Sequence, residues 1–169
     1  MSDHPSRDLP LAIVDIDGVV ADVRHRLHHL DRRPKNWKAF FAEADHDEPH
    51  VEGVELVKLL AADHEVIFLT GRPENLKKAT RAWLTRQGIG GHRLVMRPTN
   101  DRRPAAQVKV EMLAELAKGR TVELVVDDDP IVIQSMQRAG YTTIHATWEQ
   151  RAIEQERTLR EAQEGEGRT

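Results

Sequence analysis

The chain has 169 residues, 39% of them apolar and 31% charged, and its 25 basic and 28 acidic side chains leave a net charge of −3. That length fits one domain, and the near balance of charge argues against both a globally basic nucleic-acid coat and an acidic disordered chain. With no cysteine, no aliphatic run beyond four or five residues and no apolar N-terminal stretch, disulfides, thiolate chemistry, a membrane span and a signal peptide are all disfavoured, and a cytoplasmic location is expected.

Residues 1–9 read as a loose N-terminus. Five short apolar runs follow along the chain: Leu11-Ala12-Ile13-Val14, Val66-Ile67-Phe68-Leu69, Arg93-Leu94-Val95-Met96, Val122-Glu123-Leu124-Val125-Val126 and Tyr141-Thr142-Thr143-Ile144. Most are continuous rather than alternating, which is the pattern of strands covered on both faces. Helical spacing fills the intervals. Val54, Val57, Leu60 and Ala61 share a stripe within residues 52–63. Leu76, Thr80, Trp83 and Leu84 do so within 74–87, ahead of a capping Gly88. Pro104 opens a helix with Val108, Met112 and Leu116 on one face, and Pro130 opens another after Asp129 as its N-cap.

Alternating strands and helices predict a parallel sheet with right-handed crossovers in a three-layer α/β sandwich. Two regions stand outside that rhythm. Residues 22–50 hold no clear strand and read as a flap or minimal cap, with Trp37, Phe40 and Phe41 on a short helix. Residues 148–169 are strongly polar and read as an exposed helix with a loose Glu-Gly-Glu-Gly-Arg-Thr end.

Ligands of such sheets sit beyond the C-terminal strand ends. After the first run comes Asp15-Ile16-Asp17-Gly18-Val19, whose two carboxylates project to one side and repel unless a cation joins them. After the second comes Thr70-Gly71-Arg72-Pro73, a plausible phosphate cradle at a helix entrance, although Thr is also a common N-cap. After the fourth comes Asp127-Asp128-Asp129-Pro130, where all-oxygen ligands favour Mg²⁺. Lys109 lies in the first turns of the helix opened by Pro104, on the segment leading to the acidic strand.

Taken in order, Asp15-Ile16-Asp17-Gly18-Val19, Thr70, Lys109 and Asp127-Asp128 resemble the four motifs of the haloacid dehalogenase-like superfamily of phosphotransferases, over roughly residues 10–147. Within it, Phe68-Leu69-Thr70-Gly71-Arg72-Pro73-Glu74, Thr80-Arg81-Ala82-Trp83-Leu84, Leu94-Val95-Met96-Arg97 and Val108-Lys109-Val110-Glu111 are similar to the 3′-phosphatase domain of polynucleotide kinase-phosphatases. The opening Asp-Ile-Asp-Gly-Val-Val-Ala-Asp is equally similar to that of deoxyribonucleotidases. No Gly-x-x-x-x-Gly-Lys-[Ser/Thr] loop occurs, so no kinase half is expected.

The resemblance implies an α/β fold of haloacid dehalogenase type and a Mg²⁺-dependent phosphomonoesterase. Asp15 is then the nucleophile and Asp17 the acid and base. Asp15, the backbone carbonyl of Asp17 and either Asp127 or Asp128 hold the metal. Thr70 bonds a phosphoryl oxygen, and Lys109 neutralises phosphate and Asp15. Arg72 and Arg97, each following a strand, are expected to touch substrate beside Gly71. The phosphorylated substrate is either a nucleic-acid 3′-end or a nucleotide, and the short cap leaves the site open to a bulky one or to closure by oligomerisation.

Charge is uneven: residues 24–38 carry Arg24, Arg26, Arg32, Arg33, Lys35 and Lys38 against Asp31 alone. A phosphate-backbone path and solvated helix faces account for such a run about equally. His25 and His29 stand four apart, a spacing at which a helix can share a metal, though a flap that touches substrate explains them better. A competing reading is a phospho-acceptor signalling module, which also uses an Asp cluster, Thr, Lys and Mg²⁺. Its acceptor would lie mid-chain rather than on the first strand.

Overall fold

The computed structural model describes residues 9–166; the proposed loose N-terminus, apart from Leu9, and the last three residues lie outside the described residues. Five parallel strands form the central sheet: β1 (Leu11–Val14), β4 (Glu65–Pro73), β5 (Arg93–Arg97), β6 (Val122–Asp127) and β7 (Thr143–His145), in the order β5-β4-β1-β6-β7. All four pairings are parallel.

Alternation along the continuous apolar strands sends side chains to two separate cores. Ala12, Val14, Val66 and Phe68 face one cluster, closed by Val54, Val57 and Leu60 of α2 (Val51–Leu60) and by Trp83 and Leu84 of α3 (Lys77–Arg86). Leu11, Ile13, Ile67 and Leu69 face the other, with Leu113 of α4 (Ala105–Leu116) and Val132 and Met136 of α5 (Pro130–Arg138). Both faces of β1 are therefore dry, and its end lies mid-sheet, where the functional loops converge.

Several boundaries differ from the sequence reading. β4 does not stop at Leu69 but runs on through Pro73, with a register irregularity between Thr70 and Pro73 against β5. Tyr141 packs beside the second core and precedes β7. The flap does contain strand: β2 (Ala21–Asp22) and β3 (Glu48–Pro49) pair antiparallel and close its base. Two residues apiece are too short for any alternation to register. Between them lie a 3₁₀ helix over Arg24–Leu30 and α1 (Trp37–Ala42), the short aromatic helix expected there.

The last helix, α6 (Trp148–Glu166), is exposed along most of its length but not at its start, and it takes in the first half of the supposed loose end. Trp148 Nε1 donates to the Val19 carbonyl at 2.8 Å, and buried Glu149 accepts the Val23 N–H at 2.8 Å and meets His50 Nε2 at 3.1 Å. Arg24 reaches Glu156 at 2.6 Å. The helix thus holds the loop that follows β1. Among the described residues no helix is long and apolar enough to cross a membrane.

Candidate active site

Asp15 follows β1 directly, its N–H bonded to the Val126 carbonyl at 2.9 Å, and β6 delivers Asp127 beside it. Lys109 lies on the inward face of α4, buried between them: its Nζ is 3.1 Å from Asp15 Oδ2 and 2.6 Å from Asp127 Oδ2. The stripe Val108-Met112-Leu116 is therefore incomplete, since Lys109 and Leu113 are buried on the same helix. Asp127 is doubly engaged, its second oxygen accepting the Asp129 N–H at 3.0 Å. Asp129 caps α5, as its position predicts, by accepting from Ile131 N–H at 2.8 Å.

Asp128 turns the other way, across the loop after β1. Gly18 has φ +77°, and a Cβ built there would stand 2.1 Å from Asp128 Oδ2, so only glycine lets this carboxylate approach. Asp15, Asp127 and Asp128 each bring one oxygen within 4.8 Å of the others. The electrostatics of the protein alone leave the cluster uncompensated. Burial raises the Asp15 carboxyl to about 7, with Lys109 opposing and Asp127 and Asp17 adding to the rise. Burial, then Asp15 and Asp127, raise Asp128 to about 9. Burial also pulls on Lys109, yet Asp15 and Asp127 outweigh it and hold its ammonium above the ordinary lysine range. One lysine among three converging carboxylates is a donor set that fits a hard divalent cation.

Asp17 sits opposite, where two guanidiniums grip one of its oxygens. Its Oδ1 accepts from Arg26 Nη2 at 2.9 Å and from Arg72 Nε and Nη2 at 2.9 and 2.6 Å. Both arginines are buried, 0% and 2% exposed, and both also bind Asp47. Arg26 reaches Asp47 at 2.7 and 2.6 Å, and Arg72 does so at 3.0 Å. Burial pushes the Asp17 carboxyl up, but Arg72 and Arg26 more than offset it and hold the group below its ordinary value.

Neither Arg26 nor Asp47 stood out in the sequence as a site residue. Arg26 shares its run with exposed cations and is told apart only by burial, with its guanidinium carbon 4.2 Å from the Phe40 ring centroid. Asp47 follows a single 3₁₀ turn and is fixed from outside the flap by Trp83, which donates to its carbonyl at 2.9 Å.

Thr70 is buried and its hydroxyl oxygen accepts the Arg72 N–H at 3.1 Å, which leaves its O–H hydrogen to donate. The helix entrance expected here is absent: Thr70, Gly71 and Arg72 belong to the irregular end of β4, and helical turns start only at Glu74. Thr70 is therefore no N-cap, and Arg72 points inward to two carboxylates rather than outward from a loop. No atom lies within 4 Å of where a Gly71 Cβ would stand. Arg97 is at the end of the edge strand β5, donating to the Arg103 carbonyl, and touches none of the acidic cluster among the described contacts.

His25 and His29 do not share a centre. His25 turns to Asp47 at 2.7 Å and His29 to Glu43 at 2.9 Å. Their segment is a 3₁₀ helix, in which positions three apart align and positions four apart diverge.

Comparison with known proteins places the chain in a family. The family model of the polynucleotide kinase PNKP phosphatase domain matches residues 10–148. Among solved structures, the chain is similar to one described as the Pnkp1/Rnl/Hen1 RNA repair complex, at 25% identity and a TM-score of 0.68, over 86% of this chain and 45% of that one. A second structure of a Pnkp1/Rnl/Hen1 complex gives 27% identity and a TM-score of 0.67, over 83% and 47% of the two chains. This chain thus spans a little under half the length of either. The haloacid dehalogenase-like hydrolase SP0104 from Streptococcus pneumoniae shares the fold at 8% identity, with a TM-score of 0.58 over 81% of this chain and 84% of that one. No curated protein matches. The chain belongs to the family of the polynucleotide kinase PNKP phosphatase domain and is a phosphatase of the haloacid dehalogenase-like superfamily.

Proposed function

We propose that the chain is a Mg²⁺-dependent phosphomonoesterase that works through an aspartyl-phosphate on Asp15 and acts on a nucleic-acid 3′-phosphate. The observation that carries this reading is Lys109 buried between Asp15 and Asp127, which orients one Asp15 oxygen and leaves the other to attack. A carboxylate needs no activating base for that step. Asp15, Asp128 and the backbone carbonyl of Asp17 would hold Mg²⁺, with Asp127 behind them steadying Lys109. Bound there, the ion supplies positive charge against the phosphate and the nucleophile.

The chain's own groups carry the rest. The Asp15 oxygen bonds to phosphorus as the ester P–O bond breaks, and Thr70 donates its hydroxyl to a phosphoryl oxygen. Asp17, whose Oδ2 is free of the guanidiniums, protonates the leaving oxygen and later takes the proton of the water that releases inorganic phosphate. In the resting site Arg26 and Arg72 keep Asp17 ionised. The charge of an incoming phosphate raises its proton affinity and loads it for the first step.

The test is phosphate release, with Mg²⁺, from a 3′-phosphorylated oligonucleotide, its 5′-phosphorylated counterpart, nucleoside monophosphates and a sugar phosphate. The 3′-phosphorylated oligonucleotide is expected to give the highest kcat/KM. A preference for mononucleotides assigns a nucleotidase instead, and stoichiometric phosphorylation without turnover assigns a phospho-acceptor.

A further inference from the structure

We infer that the outer face of the flap is a binding site for the single-stranded polynucleotide leading up to the reacting phosphate, with bases on Trp37 and backbone phosphates at Arg32, Arg33 and Lys35. The inference rests on the nucleic-acid reading above and locates the part of the chain that would recognise a polymer.

Four observations converge on this face. A cavity of about 730 Å³, lined by His28, His29, Arg32, Arg33 and Asn36 among others, opens on it. That volume suits a ligand of nucleotide size. The structure also sorts the basic run that sequence leaves undivided. Arg26 is consumed by Asp17 and Asp47, and Arg24 by Asp22 and Glu156, whereas Arg32, Arg33, Lys35 and Lys38 form no ion pair among the described residues. Unpaired cations also occur elsewhere on the surface, and what distinguishes these four is that they fall within seven residues, beside the cavity and the exposed ring of Trp37.

Flat aromatic surface stands beside these charges. Trp37 is 49% exposed, stacks on Phe41 with ring centroids 5.8 Å apart, and has Lys35 Nζ 5.7 Å from its own centroid. The His28 and His29 rings lie at the cavity wall with centroids 4.0 Å apart and their planes tilted by 40°. Cations interleaved with exposed rings serve a chain of bases and phosphates, while an acidic peptide would use the cations and leave the rings idle.

The platform is also tied to the catalytic pair. Trp37 meets Phe40 edge-on at 5.7 Å, Phe40 lies under the Arg26 guanidinium, and Arg26 bonds Asp17. Three contacts therefore separate the ring on which a base would stack from the proposed acid.

The test measures binding of a single-stranded oligonucleotide of about ten nucleotides, lacking any terminal phosphate, to the full chain by tryptophan quenching and anisotropy across a salt series. Trp37→Ala is expected to weaken binding by about 5- to 160-fold, with Trp37→Phe retaining most of it. The double variant Arg32→Ala/Arg33→Ala should flatten the slope of log K against log salt by about 1.4. The Arg32→Ala/Arg33→Ala variant should hydrolyse a small aryl phosphate at the wild-type rate.

Unchanged strand binding by Trp37→Ala, equal displacement of the strand by polyglutamate, or tighter binding of duplex than of single strand would each overturn the inference. Its failure is separable from that of the proposed function. A strand that binds through Trp37 without hydrolysis of its 3′-phosphorylated form removes the substrate assignment alone. Hydrolysis and binding both indifferent to Trp37 remove the flap site alone.

Discussion

Asp128 and Gly18 share a space that no larger residue at position 18 would leave open: a Cβ there would stand 2.4 Å from Asp128 Cγ as well as against its carboxylate oxygen. The positive φ of Gly18 aggravates the clash. Gly18→Ala should therefore cost about 1–2 kcal/mol of stability through the backbone. Through displacement of Asp128 it should also lower kcat by about a hundredfold and raise the Mg²⁺ concentration needed for half-maximal rate. Mg²⁺ titrations of aryl-phosphate turnover, run beside a thermal melt, check both parts.

Lys109→Met keeps the length of the side chain but removes the charge between Asp15 and Asp127. Turnover should fall by about 10²–10³-fold, the loss associated with one electrostatic stabiliser in a dry site. Lys109→Arg should not restore it, because a planar fork cannot replace a point charge in a pocket closed by two carboxylates. Steady-state kinetics on an aryl phosphate decide this, with circular dichroism to confirm folding.

Asp47 is wholly covered and balances two buried arginines. Asp47→Ala leaves Arg26 and Arg72 sharing Asp17 alone, and should destabilise the fold by about 3–5 kcal/mol. Neighbouring Asp45 pairs with Arg86 at the surface, where both side chains are about half exposed. Asp45→Ala should therefore change stability by less than about 1 kcal/mol. Urea denaturation of the two variants side by side tests the contrast.

The contrast also marks where sequence was readable. Asp15, Asp17, Asp127 and Asp128 stand at the ends of continuous apolar runs, so strand period gives their positions, whereas Lys109 lies off the apolar stripe read for its helix and is marked only by the resemblance to the superfamily's motifs. Arg26 and Asp47 come from a segment built of a 3₁₀ helix, a six-residue α-helix, a single 3₁₀ turn and strands of two residues, none of which leaves a period. Their burial is a tertiary event: they meet only after the flap closes its base through β2 and β3. The same lack of local signal explains Arg72, which reads as a loop residue until the irregular end of β4 turns it inward.

His64 offers a pH-dependent check away from the site. Its side chain is 9% exposed and lies between Asp63 at 2.6 Å and Glu123. Burial lowers its pKa, but the bonds to Asp63 and Glu123 outweigh this and raise it above the usual histidine value. A raised folded-state pKa contributes stability that is complete below the unfolded value of about 6.5 and is lost as pH rises through the folded one. The stability advantage of wild type over His64→Asn should therefore be larger at pH 6 than at pH 9. Equal differences at the two values would refute the pairing.

The central claim is that Asp15 becomes phosphorylated, and acid-quench trapping tests it most directly. With a radiolabelled 3′-phosphorylated oligonucleotide and Mg²⁺, wild-type protein quenched in mid-turnover should carry label on the peptide containing Asp15, and Asp15→Asn should carry none and release no phosphate. Phosphate released by Asp15→Asn at the wild-type rate, or label recovered on another residue, would contradict the account.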